Sequence, residues 1–543
     1  MSTTGDRPEF GPTSSNHKQG DPFRRHEEET LLTQEYSIGL DLGTTGIKLI
    51  LLGQDGTVRA SAFKGYPLLH PKSAWAEQNP RDWTDRTVEG IKELIRKSSV
   101  KSDDIVGMGI ASQIDGVVPI DGKGEPLRNA IIWMDRRAKH QCDKIRTLTS
   151  DESIYSITGL STDPSHVAPK IMWIRENEPV TFEKAYRFLL PGNYLLYFLT
   201  GEAYSDHSNA SCTMLYDIKN GEWSSHLCNL FDIPREKLPA ISDSTYVAGH
   251  VRSIVARQCG LNEEVTVSVG GGDEEVGALG AGIIDHGVLL DLTGTSEPMC
   301  LCLNRPSLDP TGLLECHAHA YPGKWLLENT GGLAGGILKW FKDQFATADA
   351  QQAERLGIET FEMLNREISK IPPGSDGLLF LPFFSGAILP EWNPDARGVF
   401  LGLTLKHTRI HLARSIMEGT AYVLRDMVRH LSEIGLDPTR IILAGGGARS
   451  LVWQQIKTDA TNRRTVRCVN EEVTALGAAI ISAVGCGSYN DIEEAIKKTV
   501  ALSSDLIPSP SSSEAYGRLY SIYREAYEAL KPAFSKIAMF QEN

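Results

Sequence analysis

Two glycine- and threonine-rich segments and one aspartate have the residue types that phosphoryl transfer needs. The segment Asp41-Leu-Gly-Thr-Thr-Gly46 offers backbone N–H groups and two hydroxyls to a polyphosphate, and its carboxylate suits hydrated Mg²⁺. Asp291-Leu-Thr-Gly-Thr-Ser296 repeats this plan. Asp273 follows an apolar segment and a glycine run, where it could accept a proton from an attacking hydroxyl. Taken singly, the two segments also suit ordinary turns, and Asp273 also suits a helix N-cap.

The elements around these residues follow from apolar periodicity. Apolar residues alternate through 37–42 and 47–52, which predicts a strand, a tight turn and a strand, and 288–303 has the same pattern. Such hairpins, each followed by helices and further strands, are typical of a ribonuclease-H-like mixed sheet, and two of them predict two domains of one plan around a shared cleft. Further strands are predicted at 58–65, 105–111, 117–121, 130–134, 265–269 and 440–443, and helices at 83–97, 168–176, 183–188, 192–199, 411–434, from 451, 472–484 and 513–540.

A third glycine run, Gly445-Gly-Gly447, lies between a predicted strand and a predicted helix. Without side chains, an adenine or ribose could lie against the backbone there, and the helix N-terminus adds partial positive charge. Close packing is the alternative explanation. The sequence has neither a P-loop nor a suitably placed dinucleotide fingerprint.

Composition and charge exclude several classes of protein. The 543 residues favour more than one domain, and 55 Lys+Arg against 69 Asp+Glu argue against a nucleic-acid or anionic-membrane partner. Nine scattered cysteines without a Cys-x-x-Cys pattern predict reduced thiols in a cytoplasmic enzyme, with no zinc site. No apolar run is long enough to span a membrane. We expect a disordered polar tail at 1–34 and domains at 35–285 and 286–543.

Together these segments resemble the FGGY carbohydrate kinases, and among them the xylulokinase-like members. Besides the two phosphate segments, the resemblance rests on Gly271-Gly-Asp273, on Ile442 to Ser450, and on Gly398 to Leu403 followed by His411 to Glu418. It implies an α/β protein with two ribonuclease-H-like domains of the actin/hexokinase/Hsp70 ATPase superfold and a cleft between them. It also implies that ATP and Mg²⁺ are used and that a sugar hydroxyl accepts the phosphoryl group.

The resemblance gives each candidate residue a role. Asp273 would be the general base, and Asp41 would orient Mg²⁺ through water. The nucleotide contacts are expected at Asp41, Gly43, Thr44, Thr45, Lys48, Gly294, Thr295, Gly446, Gly447 and Ser450. The sugar contacts are expected at Gln113, Asp115, Gly116, Trp133 and Asp273.

The substrate segment departs from the family it resembles. In Gln113-Ile-Asp-Gly116, Asp115 stands where histidine is usual, so the pattern of sugar hydroxyls read there must change. Ser385 to Pro390 also differs from the usual Gly-Glu-Arg-x-Pro. D-xylulose or a related ketose is the leading substrate, with a sugar alcohol as the alternative. A non-catalytic nucleotide-binding regulator on the same fold is also left open, as is a homodimer.

Overall fold

The computed structural model describes residues 34–542, except for the side chain of Glu542. The tail predicted at 1–34 lies outside the described residues except for its last position. The strands before residue 286 are β1 (Tyr36–Leu42), β2 (Gly46–Gly53), β3 (Val58–Gly65), β4 (Glu77–Gln78), β5 (Ile105–Ser112), β6 (Val118–Ile120), β7 (Ala130–Ile131), β8 (Arg187–Leu189), β9 (Tyr204–Asp206), β10 (Tyr216–Asp217), β11 (Glu222–Trp223), β12 (Ala240–Ser242), β13 (Val247–His250), β14 (Thr266–Ser268) and β15 (Gly271–Gly272). The helices of this half are α1 (Pro80–Ser98), α2 (Lys139–Leu148), α3 (Asp151–Thr158), α4 (Val167–Asn177), α5 (Pro179–Lys184), α6 (Pro191–Thr200), α7 (His207–Ser211), α8 (Ser225–Leu230), α9 (Ser253–Cys259) and α10 (Asp273–Gly280).

The second half contains fewer strands and longer helices. Its strands are β16 (Val288–Leu292), β17 (Met299–Leu303), β18 (Glu315–Ala318), β19 (Trp325–Asn329), β20 (Leu379–Leu381), β21 (Val399–Leu401), β22 (Arg440–Ala444) and β23 (Thr465–Arg467). Its helices are α11 (Gly335–Phe345), α12 (Thr347–Leu356), α13 (Thr360–Ile368), α14 (Arg409–Glu433), α15 (Leu451–Thr461), α16 (Val473–Gly485), α17 (Ile492–Thr499) and α18 (Pro510–Glu542). None of the described helices is both long and apolar enough to cross a membrane.

Two mixed sheets have five strands in the same order and direction and differ in the strand added at the edge. The first has the order β13-β14-β5-β1-β2-β3, with β15 also pairing with β5, and the second has the order β18-β19-β17-β16-β22-β23. In each, an antiparallel hairpin (β1–β2 or β16–β17) continues into another antiparallel strand and gains a parallel strand on its other side (β5 or β22). The predicted α/β fold of two ribonuclease-H-like domains is therefore confirmed.

Helices α10 and α16 meet backbone to backbone between the two sheets. A Cβ added at Gly477 would lie 2.0 Å from the carbonyl oxygen of Val276, and one at Gly280 would lie 1.9 Å from that of Val473. Helix α16 is equally close to β1, since a Cβ at Gly39 would lie 2.0 Å from a carbonyl oxygen of this helix. The small residues of α16 thus allow close packing.

Two predicted elements are wrong in part. The chain at 183–188 is not one helix, because α5 ends at Lys184 and Arg187–Leu189 pairs antiparallel with β6. The strand predicted at 130–134 is limited to Ala130–Ile131, since Asp135 N–H donates to the Ile132 carbonyl in a turn. In both places, long-range pairing and local turns decide the structure, and apolar periodicity does not reveal them.

Candidate active site

The first phosphate loop is the turn between β1 and β2. Gly43 N–H donates to the Gly46 carbonyl oxygen at 3.1 Å, which closes the turn, and Asp41 lies opposite Lys48 in the strand register. Thr45 is exposed and Thr44 is partly exposed. The loop therefore offers hydroxyls and a carboxylate at one end of the first sheet, while the Lys48 ammonium is paired with Glu472.

Two glutamines join this loop to the predicted sugar segment. Gln113 Nε2 donates to Gln78 Oε1 at 2.8 Å, and Gln78 Nε2 donates to the Thr44 carbonyl oxygen at 2.5 Å. Gln113 Oε1 is buried and accepts no hydrogen bond from the described residues. It is a candidate acceptor for a sugar hydroxyl. Gln78 was not predicted, because no sequence pattern links it to the loop.

Trp133 also contacts the first loop. Its Nε1 donates to Thr44 Oγ1 at 2.9 Å, while 40% of the residue stays exposed. Nearby Asp135 and Arg137 are buried and paired with each other, and the Arg137 guanidinium lies 3.6 Å from the ring centre of Trp75. In this segment, Trp133 is free to contact a ligand, whereas Arg137 has a structural role.

Asp115 is not a free anionic acceptor. Its Oδ1 lies 3.2 Å from His166 Nδ1, and its carbonyl oxygen accepts from Lys170 Nζ at 2.5 Å. Burial disfavours protonation of His166, but the carboxylates of Asp115 and Glu315 raise its pKa well above the usual value. An imidazolium from a distant part of the chain therefore pairs with the Asp115 carboxylate.

Gly116 is required by packing. A Cβ at this position would lie 2.5 Å from Pro191 Cγ, at the start of α6. This contact explains the glycine without a ligand.

Asp273 is the first residue of α10, next to the first loop. The N-cap of this helix is Gly272, so the N-cap explanation of Asp273 is wrong. Burial raises the pKa of Asp273 well above its usual value, and the charges of Glu274 and Asp41 raise it further. The pKa of Tyr66 is raised in turn by burial and by the carboxylates of Asp41 and Asp273. These three residues are therefore neighbours, and Tyr66, which donates to the Gly43 carbonyl oxygen, was missed from the sequence.

The second phosphate loop is exposed, and the N-terminus of helix α11 holds it by hydrogen bonds. Gly294 and Thr295 are exposed, and their carbonyl oxygens accept from Gly335 N at 3.1 Å and from Gly336 N at 3.0 Å. Unlike Asp41, Asp291 is completely buried, and Lys457 Nζ lies 2.6 Å from its Oδ2. The two loops share a fold, but their aspartates differ in burial and in their partners.

The third glycine run packs on the second loop. Gly447 N–H donates to the Thr293 carbonyl oxygen at 2.9 Å, and a Cβ at Gly447 would lie 2.5 Å from Thr293 Cγ2. A Cβ at Gly446 would meet no atom within 4 Å. Ser450 caps α15 by accepting from Trp453 N at 3.2 Å. Within this glycine run, Gly446 is therefore the position with open space beside its Cα atom.

The comparisons with known proteins agree with this arrangement. The N-terminal domain of the FGGY family of carbohydrate kinases matches residues 36–280, and the C-terminal domain of that family matches residues 292–486. The chain belongs to the FGGY family of carbohydrate kinases. This FGGY kinase is therefore a phosphotransferase with an alcohol group as acceptor, which acts on a sugar and uses ATP.

Two of the relatives that match the chain carry different names. A xylulose kinase of Bacillus subtilis is 33% identical over 509 residues, covering 94% of this chain and 100% of the relative. A gluconokinase of the same species is 29% identical over 507 residues, covering 93% and 98%. The crystal structure of a xylulose kinase from Rhodospirillum rubrum matches with a TM-score of 0.83 at 30% identity, covering 92% of this chain and 100% of that one. The family predicted from the sequence is confirmed, and the relatives leave two sugar classes in competition.

Proposed function

We propose that this FGGY kinase phosphorylates a small neutral ketose, of which D-xylulose is the leading candidate, and that Asp273 is its general base. The position of Asp273 supports this proposal, because its carboxylate opens α10 beside the first phosphate loop and the sugar segment. A homodimer and a cytoplasmic location stay predictions.

The loops have the chemistry that a Mg²⁺–nucleotide needs. Thr44, Thr45 and Thr295 would donate to phosphate oxygens, and the open backbone at Gly446 would take the adenosine. Asp41 would hold Mg²⁺, which supplies neutralisation of the phosphate charge.

Asp273 would act on the acceptor. As the sugar oxygen forms its bond to the γ-phosphorus and the bond to the ADP oxygen breaks, the hydroxyl proton passes to the Asp273 carboxylate. Gln113 Oε1 and the Asp115–His166 pair would orient the sugar, because Gln113 bonds the first loop and Asp115 follows it by two residues. Trp133 would cover one side of it.

Gluconate is the second candidate, supported by the gluconokinase relative. Its carboxylate would need an available cation. Yet His166 is already paired with Asp115, and the Lys170 ammonium donates to the carbonyl oxygens of Asp115 and Ser165. Neither of these two cations is left free for a ligand carboxylate, which favours a neutral sugar.

Steady-state kinetics on D-xylulose, D-ribulose, xylitol, gluconate and glycerol test the substrate. We expect the highest kcat/KM for D-xylulose, and a higher value for gluconate would overturn the neutral-sugar proposal. Asp273→Asn should lower kcat by about 10²–10⁴-fold with unchanged nucleotide binding. Asp285→Asn, an exposed aspartate on the same segment of chain, is the control. Full turnover by Asp273→Asn would remove this residue from the role of base.

A further inference from the structure

Three residues far apart in the sequence place a thiol, a carboxylate and an imidazole together in the interior. Cys212 follows α7, Glu275 lies on α10 and His317 lies on β18. All three are buried. The sequence predicted no zinc site because the cysteines lack a metal-binding spacing, but the fold assembles ligand types that spacing cannot reveal.

The distances between the three side-chain atoms of this cluster match those between the ligands of a tetrahedral metal ion. Cys212 Sγ lies 3.4 Å from His317 Nδ1 and 3.6 Å from Glu275 Oε1, and the latter two atoms are 3.8 Å apart. Tetrahedral Zn²⁺ has bonds of about 2.0–2.3 Å, so its ligand atoms are separated by about 3.3–3.8 Å. An ion could therefore sit between the three atoms with little movement of any side chain.

The surroundings are those of a cation site. Glu275 is fully buried, and its Oε2 accepts no hydrogen bond from the described residues. Glu328 is 3% exposed, and its carboxylate faces those of Glu274 and Glu275. Buried carboxylates at such density need a proton or a cation for each charge.

The outer shell also has the expected form. Metal-bound histidines usually turn their other ring nitrogen to a carboxylate, which fixes the ring. His317 Nε2 lies 3.8 Å from Glu315 Oε2. Glu315 and Glu328 lie opposite each other on β18 and β19, and His317 follows Glu315 by two residues, so all three side chains are on one face of the sheet. Glu328, whose two carboxylate oxygens accept no hydrogen bond from the described residues, is thus a candidate for a fourth ligand.

We propose that Cys212, Glu275 and His317 form a binding site for one divalent cation of the Zn²⁺ type. On binding, the thiol releases its proton to solvent and the thiolate coordinates the ion. Glu275 follows Asp273 by two residues on α10, while His317 belongs to the second sheet. The ion ties the helix that carries Asp273 to the other half of the molecule.

Metal content of the full chain tests the site. The protein is loaded with Zn²⁺, desalted and analysed by mass spectrometry of the elements. We expect about one Zn²⁺ per chain for the wild type and for Asp41→Ala, and most of it lost in Cys212→Ser, Glu275→Gln and His317→Gln. Cys228→Ser, another buried free cysteine, is the matched control and should keep its zinc.

Two further measurements keep the outcome decisive if one variant folds poorly. With Co²⁺ in place of Zn²⁺, the wild type should show a thiolate-to-cobalt absorption band that Cys212→Ser lacks. Zn²⁺ should raise the Tm of the wild type but not that of Glu275→Gln, the variant closest in shape. A wild type that retains no zinc after desalting, or equal loss of zinc from Cys228→Ser, would overturn the proposal.

Discussion

Lys457 Nζ lies 2.6 Å from Asp291 Oδ2, and this buried ion pair holds the second phosphate loop to helix α15. The same ammonium also bonds Thr293 Oγ1 and Glu297. Burial and the neighbouring Asp291 raise the pKa of Glu297 to about 8, although Lys457 opposes this. The lysine thus fixes the backbone from which Gly294 and Thr295 project.

Replacing this lysine should loosen the nucleotide site. Lys457→Met leaves buried acids without a partner, so we expect a loss of about 3–5 kcal/mol in the free energy of unfolding and a raised KM for ATP. Denaturant unfolding and kinetics measure both. Lys498→Met, which removes an exposed pair with Glu494, should cost less than about 1 kcal/mol. Equal stability of the two variants would contradict the role given to Lys457.

Substitutions of Gly446 and Gly447 should affect different properties, nucleotide binding at the first position and packing at the second. Gly446→Ala meets no protein atom, so its Tm should equal that of the wild type while the Kd for ATP rises about tenfold. Gly447→Ala places a methyl group against Thr293, so it should lower the free energy of unfolding by about 1–3 kcal/mol. Unchanged ATP binding by Gly446→Ala would show that the nucleotide lies elsewhere.

The Asp115–His166 pair should control sugar affinity. Asp115→Asn keeps a residue that tolerates the positive φ of 60° at this position, but it removes the charge that faces the imidazolium. We expect the KM for the sugar to rise at least about tenfold with the KM for ATP unchanged. His166→Gln should behave in the same way. Equal changes in both KM values would indicate a general disturbance of the fold instead.

Asp309 should make stability sensitive to acid. Burial alone would raise its pKa, but hydrogen bonds from His430 and Thr311 lower it to about 2. Because the folded-state pKa is depressed, the stabilisation is complete above the ordinary value of 3.8 and is lost as the pH falls towards about 2.

The matching variant is Asp309→Asn. At pH 7 its free energy of unfolding should be about 2 kcal/mol lower than that of the wild type. This difference should disappear as the pH falls to about 2. Denaturant unfolding over this pH range gives the measurement. A gap that stays constant with pH would mean that the charge of Asp309 does not contribute.

The sequence predicts what depends on local pattern. The hairpins around Asp41 and Asp291 and the helix after Gly447 follow from alternation and glycine position, and all are confirmed in the fold. Lys457, Tyr66 and His166 could not be found in this way. Each acts through a partner far away in the chain, and no periodicity marks such a pairing.

The strand at Arg187–Leu189 shows the same limit on the scale of an element. Its residues become a strand because β6 supplies hydrogen bonds from a distant part of the chain. The roles of the site residues stay predictions, because they depend on ligands and not on the fold alone.

The contact between α10 and α16 has a mechanical consequence. Side chains can repack when helices slide, but here carbonyl oxygens face glycine Cα atoms, so there is nothing to rearrange. We expect the contact between the two helices to be the hinge about which the two halves of the molecule rotate as rigid bodies. Helix α16 is preceded by Glu472, which pairs with Lys48, and helix α10 begins at Asp273. A rotation of α16 that starts at the nucleotide site would then move α10, and with it Asp273, by direct backbone contact.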